Sequence, residues 1–154
     1  MPTCKEIMTP DPNFCLPDTT LAEVAKLMKS KNIGPVPVIQ DEDSRKLIGI
    51  ITDRDLVINA VAADRDTAAT GAISAMTPAP RTCNPDDDVE MAIELMETYQ
   101  VRRVPIVDQS GKLVGIISQG DIATRMHKPK KTSELLEEIS KPEIMNRELK
   151  RKAG

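Results

Sequence analysis

One heptapeptide occurs twice in this chain, and no other feature of the sequence constrains its fold as strongly. Residues 49–55 read Gly-Ile-Ile-Thr-Asp-Arg-Asp, and residues 115–121 read Gly-Ile-Ile-Ser-Gln-Gly-Asp. Upstream, Met8-Thr9-Pro10 recurs as Met76-Thr77-Pro78. Repetition of this kind indicates two copies of one supersecondary unit, each of which needs its neighbour to bury an apolar face.

Within each copy, the first helix is predicted from a cap and an apolar stripe. Thr20 and Glu23 have the spacing of a capping box, which opens a helix. In the second copy Asp88 takes the cap position. Both helices carry apolar residues at i, i+3, i+4 and i+7, namely Leu21, Val24, Ala25 and Met28, then Val89, Ala92, Ile93 and Met96. Such stripes predict core-facing surfaces rather than ligand contacts.

Strands are predicted on both sides of a polar turn in each copy. Leu47–Thr52 and Leu113–Ser118 are apolar in their middles, so we expect them to be buried on both faces. The preceding Val/Ile-rich runs contain Pro37 and Pro105, which indicate the start or the edge of a strand. The first copy has two extra residues in its turn, where an insertion is best tolerated.

The complete unit reads β-α-β-β-α, and it occurs twice. Short β-prone segments at residues 14–16 and 82–83 precede the first helices. The second helices are predicted from Asp55 to about residue 63 and from Asp121 to about residue 126. A unit of roughly 60 residues cannot bury a large core alone. The predicted fold class is therefore α/β, with two pseudo-symmetric repeats packed as one two-layer module.

The junction of strand and helix in each heptapeptide suits a nucleotide. The first N–H groups of a helix have no intrahelical partner, which favours a phosphate at that end. The carboxylates of Asp55 and Asp121 only accept hydrogen bonds, and they therefore suit the hydroxyl groups of a ribose. The same Ser/Thr-x-x-Asp pattern is also a helix cap that binds no ligand. Both interpretations stay open at this point.

Composition and charge exclude several classes of partner. The net charge is −3, and the chain contains no Trp, one Tyr and one Phe. We therefore expect no nucleic-acid partner, because backbone binding needs basic surfaces and base stacking needs aromatic side chains. No apolar run approaches the roughly 18 residues of a bilayer span, and no signal segment is evident. We expect a cytoplasmic protein with no membrane partner.

The reactive side chains give no indication of catalysis or of metal binding. Cys4, Cys15 and Cys83 are widely spaced, which disfavours a metal site or a disulfide framework and predicts small buried side chains. His127 is the only histidine, so no Ser or Cys has an evident general base. We expect the protein not to be an enzyme, with no catalytic residues, no metal and no cofactor.

The order of these motifs resembles the tandem CBS domain, also called a Bateman module. Met-Thr-Pro, then Val-Pro-Val or Val-Pro-Ile, then the heptapeptide follow one another in both copies. The resemblance covers residues 4 to about 127, and residues 52–63 are similar to bacterial stand-alone CBS-pair proteins, including the hypoxic-response type. We accordingly predict repeat 1 at 1–68, repeat 2 at 69–127 and a charged tail with a short helix at 128–154.

The resemblance implies a regulatory binding module. CBS pairs form two-layered α/β discs, commonly dimerise, and bind adenine nucleotides or S-adenosylmethionine in two clefts between the repeats. The implied ligand is AMP, ADP, ATP or S-adenosylmethionine, and the implied protein partners are a second copy and an unknown target. The alternative is a ligand-independent dimeric interaction or scaffold module, in which the heptapeptides only cap helices.

Carried onto this chain, the family pattern assigns residues to two clefts, named here after their aspartates. The Asp55 cleft is expected to contain Thr52, Asp55, Thr77, Thr82, Val101 and Arg102. The Asp121 cleft is expected to contain Ser118, Asp121, Thr9, Phe14, Ile33 and Gly34. In family terms the Asp binds the ribose hydroxyls and the Ser or Thr meets a phosphate. The base is expected among Ile33, Ile50, Val101 and Ile116.

Two arginines distinguish the copies. Arg102 and Arg103 stand where the first copy has Gly34 and Pro35. A guanidinium facing the cleft forms two hydrogen bonds to a phosphate, which would favour the Asp55 cleft for a charged nucleotide. The alternative is that these arginines are solvated surface charges or lie in a dimer interface.

The tail has a different composition from the repeats. Its segment Lys128-Pro-Lys-Lys is predicted to be a basic hinge, and residues 147–152 are strongly basic. A short helix is predicted between a Thr132-Ser133 cap and Pro142, with Leu135, Leu136 and Ile139 on one face. This helix either docks a partner or folds back on its own domain, and the second interpretation agrees better with the usual behaviour of chain termini.

Overall fold

The computed structural model describes residues 1–126 and 129–141. The helices in this part are α1 Cys4–Ile7, α2 Leu21–Lys31, α3 Asp53–Leu56, α4 Val89–Tyr99, α5 Gln119–Arg125 and α6 Pro129–Ile139. The strands are β1 Thr9–Pro10, β2 Pro35–Ile39, β3 Leu47–Thr52, β4 Thr77–Pro78, β5 Arg103–Val107 and β6 Leu113–Ser118. A π-helical turn, Val57–Val61, continues α3. The predictions for His127, Lys128, Pro142 and residues 147–152 lie outside the described residues.

Each of the two sheets contains strands from both repeats. One sheet has the order β1-β6-β5 and the other has the order β2-β3-β4, with all neighbours antiparallel. Thr9 of β1 pairs with Ile116 of β6, and Thr77 of β4 pairs with Ile50 of β3. The first strand of each repeat therefore completes the sheet of the other repeat. The predicted α/β fold of two pseudo-symmetric repeats is confirmed.

The two hairpins also join the sheets directly at their turns. The Leu47 amide donates to the Gly111 carbonyl at 3.1 Å, and the Leu113 amide donates to the Arg45 carbonyl at 3.0 Å. These reciprocal bonds lie on either side of a bridge between Lys46 and Lys112. Pairing at the turns satisfies backbone groups that would otherwise form an open sheet edge.

The first helix of each repeat has the predicted cap. The Thr20 hydroxyl accepts from the Glu23 amide at 3.2 Å, and the Glu23 carboxylate accepts from the Thr20 amide at 2.8 Å. Asp88 accepts from the Glu90 amide at 2.8 Å. Both helices bury their predicted stripes against their own sheets, except that Ala25 is exposed. The cap geometry and the apolar stripe therefore agree in each repeat.

The structure refines one local prediction about the heptapeptides, the start of the second helices, and contradicts another, the burial of β3 and β6. The second helices begin at Asp53 and Gln119, because Thr52 and Ser118 are the caps and each motif Asp is the third helical residue. In addition, β3 and β6 bury alternate residues only, such as Ile51 and Ile117. The other face of each sheet is half-buried, as expected for an antiparallel sheet with one face on the core.

The tail helix α6 folds back on repeat 2, where it contacts α4 and α5. It begins at Pro129 rather than after Thr132 and Ser133, since proline is favourable at the first position of a helix. Leu135 and Ile139 are buried in the core of repeat 2, whereas Leu136 is 42% exposed. The three apolar residues therefore do not share one buried face.

All three cysteines are buried free thiols, as the sequence predicts. Burial raises the pKa of the Cys15 thiol to about 12. A hydrogen bond with the Cys83 thiol, together with burial, raises the pKa of Cys4. A neutral buried thiol is a poor nucleophile and a poor metal ligand. Among the described helices, none combines the length and the apolar character that a bilayer crossing requires.

Candidate functional site

The Asp55 cleft is centred on the end of β3. The Asp55 amide donates to the Thr52 hydroxyl at 3.2 Å, and the Thr52 amide donates to Asp55 Oδ2 at 2.9 Å. Both side chains are partly buried. Within residues 1–126 and 129–141, Asp55 Oδ1 has no hydrogen-bond donor and Asp55 has no ion pair. One carboxylate oxygen therefore holds the helix cap, and the other is available to a hydroxyl donor.

The Asp121 cleft has the same cap at the end of β6, with additional contacts. The Ser118 amide and hydroxyl donate to Asp121 Oδ2 at 2.7 and 2.8 Å. The Thr9 hydroxyl donates to Asp121 Oδ1 at 3.4 Å, and Arg125 forms an ion pair with the same oxygen at 3.5 Å. Both oxygens of Asp121 are therefore in contact with protein groups.

Strand exchange brings predicted residues from the two repeats together. Because β1 pairs with β6, Thr9 lies beside Ile116, and its hydroxyl reaches Asp121 of the cleft to which the family pattern assigns it. Because β4 pairs with β3, Thr77 lies beside Ile50, two residues before Thr52. Each cleft is consequently built from both halves of the chain.

Other predicted residues lie beside the motif of their own repeat. The Asp53 amide donates to the Gly34 carbonyl at 3.1 Å, and the Gln119 amide donates to the Arg102 carbonyl at 3.0 Å. Ile33 and Val101 directly precede these residues, and each donates its amide to the end of its own first helix. In the described residues, no hydrogen bond joins these four residues to the motif of the other repeat. Their assignment to the opposite clefts stays a prediction.

The register of β5 and β6 places Arg103 beside the cap of its own repeat. It pairs with Ser118 across β5 and β6, so the two side chains lie on the same face of the sheet. The counterpart of Arg103 in repeat 1 is Pro35, which pairs with Thr52. The Arg103 side chain therefore leaves the sheet on the face that carries the Ser118 cap. Whether this arginine contacts a phosphate in a cleft or is a surface or interface residue stays a prediction, because the register fixes its backbone position only.

Phe14 and Thr82 lie on the two connections that cross from one sheet to the other. Each comes directly before a cysteine that bridges to the second strand of its own repeat, at Val38 for Cys15 and at Ile106 for Cys83. The Phe14 ring is half-buried beneath the Arg45 guanidinium, 5.1 Å from the ring centroid. Thr82 is exposed. Their roles in the clefts stay predictions.

Arg125 was not identified from the sequence as a cleft residue. Besides its contact with Asp121, it donates to the Ile7 and Met8 carbonyls, both at 2.8 Å. Its counterpart in repeat 1 is Asn59, whose shorter side chain donates to the Ala75 carbonyl at 3.2 Å. Aligning the repeats beyond the motif Asp would have revealed this substitution of a cation for a neutral amide. Each side chain ties the second helix of its repeat to the exchanged strand segment.

The arrangement suits binding of a hydroxyl-bearing ligand. Each cleft offers carboxylate and hydroxyl oxygens at the junction of the two repeats, and apolar side chains, Ile50 or Ile116, lie two residues before the cap. No group of three or more His, Cys, Asp or Glu side chains in the described ranges has the arrangement of a metal site.

Comparison with known proteins identifies the repeated unit. The family model described as CBS domain matches the chain twice, over residues 4–61 and 71–128. Hypoxic response protein 1 of Mycobacterium tuberculosis is 34% identical over 128 residues, which cover 82% of this chain and 86% of that protein. The crystal structure of Hypoxic Response Protein I with two coordinated zinc ions matches with a TM-score of 0.73 and 32% identity, over 83% of this chain and 100% of that one.

Two similar solved structures contain adenosyl ligands. CBSX2 in complex with AMP has a TM-score of 0.68 and 28% identity, over 79% of this chain and 93% of that chain. The CBS domain pair of protein MJ0100, in complex with 5′-methylthioadenosine and S-adenosyl-L-methionine, has a TM-score of 0.70 and 30% identity. That match covers 79% of this chain and 97% of the other.

Proposed function

Because this chain belongs to the CBS-domain family and carries two copies of the domain, we propose that it is a regulatory module that binds an adenine nucleotide or S-adenosylmethionine between its repeats. The observation that carries the proposal is the exchange of β1 and β4, which builds each cleft from both repeats. The adenosyl ligands of the CBSX2 and MJ0100 structures support the ligand class. We expect Asp55 and Asp121 to accept from ribose hydroxyls.

The same exchange suggests how occupancy is signalled. A ligand that touches Asp55 and Thr77 bridges the two repeats, so its binding favours one relative arrangement of them. Such a ligand shifts the conformational equilibrium only if it binds one arrangement more tightly than the other. The affinity of the target protein is therefore expected to depend on the relative position of the repeats.

A homodimer is part of the proposal. Exposed apolar side chains collect on the second helix of repeat 1, where Val57 is 56% exposed and Val61 is 66% exposed. In repeat 2, α6 packs on α4 and α5. A second copy would remove the uncovered apolar surface from water, which is favourable.

Calorimetric titration of the ligand-free protein with AMP, ADP, ATP and S-adenosylmethionine tests the proposal. Replacing Asp55 or Asp121 by Ala removes a charged hydrogen-bond acceptor, which costs about 1.5 to 3 kcal/mol, or roughly ten- to a hundredfold in affinity. We expect at least one substitution to weaken binding by this factor. Sedimentation of the same samples measures the oligomeric state.

One observation favours a second candidate, a ligand-independent interaction module. Both heptapeptides form complete capping boxes, so Thr52, Asp55, Ser118 and Asp121 have a structural role. If millimolar AMP, ADP, ATP and S-adenosylmethionine all fail to bind the folded protein, the nucleotide proposal fails and this second candidate replaces it.

A further inference from the structure

We propose that the two clefts select adenosyl ligands of different charge. In this proposal the Asp121 cleft binds a nucleoside polyphosphate, and the Asp55 cleft binds an adenosyl compound without phosphates, such as a thioether or a sulfonium. The inference rests on the proposed function and adds the ligand class of each cleft. Its basis is the unequal distribution of charged side chains around two otherwise similar capping boxes.

Three arginines flank the Asp121 cleft in this proposal, which groups Arg102 with the motif of its own repeat rather than with the Asp55 cleft of the family pattern. Arg103 stands beside Ser118 on the same sheet face, and the Arg102 carbonyl accepts from the Gln119 amide next to it. Arg125 lies 3.5 Å from Asp121 Oδ1. Arg125 therefore compensates the charge of the carboxylate, and within residues 1–126 and 129–141 neither Arg102 nor Arg103 forms an ion pair. Arginine recognises phosphate oxygens through paired, charge-assisted hydrogen bonds.

The Asp55 cleft has the opposite balance. Pro35 replaces the arginine beside the cap, and Asn59 replaces Arg125. Gly34 takes the position of Arg102. A Cβ built on Gly34 would lie 3.6 Å from both carboxylate oxygens of Asp53, so a side chain at this position would meet that carboxylate. The first heptapeptide therefore contributes two carboxylates, Asp53 and Asp55, and one guanidinium, that of the exposed Arg54.

The difference in charge between the two clefts is expected to determine which ligand each cleft binds. A polyphosphate in the Asp55 cleft would meet two carboxylates, and juxtaposed like charges disfavour binding. A neutral thioether avoids that repulsion, and a sulfonium is attracted to the same carboxylates. In the Asp121 cleft a polyphosphate gains two guanidinium partners, whereas a sulfonium would be repelled by them. The ribose contact with the motif Asp is common to both clefts.

The test compares two probes, ATP and 5′-methylthioadenosine, on the full chain freed of carried-over ligand. We expect Arg103→Gln to weaken ATP binding about ten- to a hundredfold, because a charge-assisted contact is lost, and to leave 5′-methylthioadenosine binding unchanged. Asp55→Ala should weaken binding of 5′-methylthioadenosine. Lys26→Gln is the matched control, since it removes one exposed positive charge from α2 and should alter neither affinity.

Two further measurements keep the test decisive if Arg103→Gln folds poorly. Arg102→Gln, at an exposed position, should also weaken ATP binding. In the unsubstituted protein, added salt should weaken ATP binding and leave 5′-methylthioadenosine binding nearly constant, because screening acts on charged ligands. ATP affinity that depends on Asp55 and is unaffected by both arginine substitutions overturns the charge assignment while the proposed function stands. Absence of binding by every adenosyl ligand overturns the proposed function as well.

Discussion

Gly49 and Gly115 show how single residues allow the strand exchange. A Cβ built on Gly115 would overlap Met8 Sδ and lie 2.9 Å from Met8 Cγ. A Cβ on Gly49 would overlap Met76 Sδ and lie 3.0 Å from the Thr77 carbonyl oxygen. Both methionines precede the exchanged strands β1 and β4. The glycines of the two heptapeptides are therefore required by the close approach of the opposite repeat.

We expect Gly115→Ala to lower the free energy of unfolding by about 1 to 3 kcal/mol, because the added methyl group displaces Met8 from a packed position. Urea denaturation measures the change. Combining Gly115→Ala with Met8→Ala should cost less than the sum of the two single changes, since the overlap disappears. Gly120→Ala is the control: its Cβ would lie 3.4 Å from Ser118 Oγ, an ordinary contact. An equal loss in the control would contradict the explanation.

At the scale of elements, the two repeats differ most in what covers their helices. In repeat 2, α6 lies on α4 and α5, Lys131 contacts Glu90, and Leu135 is fully buried. In repeat 1, Val57 and Val61 on the second helix are exposed. The tail helix therefore packs on repeat 2. Its stabilising effect comes from its buried side chains and not from every apolar residue that it contains.

Adjacent leucines of α6 provide a matched pair of substitutions. Leu135→Ala should lower the free energy of unfolding by about 2 to 5 kcal/mol, because it leaves a cavity in the core of repeat 2. Leu136→Ala removes the same atoms from a side chain that is 42% exposed, so we expect a much smaller loss. Thermal or urea unfolding of the two variants gives the comparison. Equal effects would mean that α6 does not pack on repeat 2 in solution.

At the scale of the whole molecule, the exchanged segments make the two halves interdependent. The Val89 amide donates to the Pro2 carbonyl at 3.0 Å, so the N-terminus is bonded to repeat 2. The Leu21 amide donates to the Thr70 carbonyl at 2.9 Å, so the segment after the first repeat is bonded back to it. A chain cut between the repeats would separate each sheet from its third strand.

Fragments 1–68 and 69–154 test this interdependence. We expect each fragment alone to show little regular structure by far-UV circular dichroism, since each lacks the strand that completes its sheet and part of its shared core. Mixing equal amounts should restore the spectrum of the intact protein. Two independently folded fragments that fail to associate would contradict an obligatory exchange and would also support the predicted boundary at residue 68.

The sequence alone was sufficient to predict most of the local structure and the family. Short apolar runs predicted β3 and β6, and the Thr20-Glu23 pattern predicted the start of α2, because such runs and caps depend on residues only a few positions apart. The contact of Thr9 with Asp121 was also anticipated, through the family resemblance. The heptapeptide predicted the caps, but only the structure showed that Asp55 and Asp121 are third helical residues.

The tertiary structure decided which groups meet across the repeats. Arg103 joins Ser118, and Arg125 joins Asp121 and the segment before β1, because strand register and helix packing bring distant parts of the chain together. No local pattern records such pairings, since the free energy that selects them comes from the shared core and from backbone bonds between segments far apart in sequence. The charge difference between the Asp55 and Asp121 clefts is therefore a property of the folded molecule.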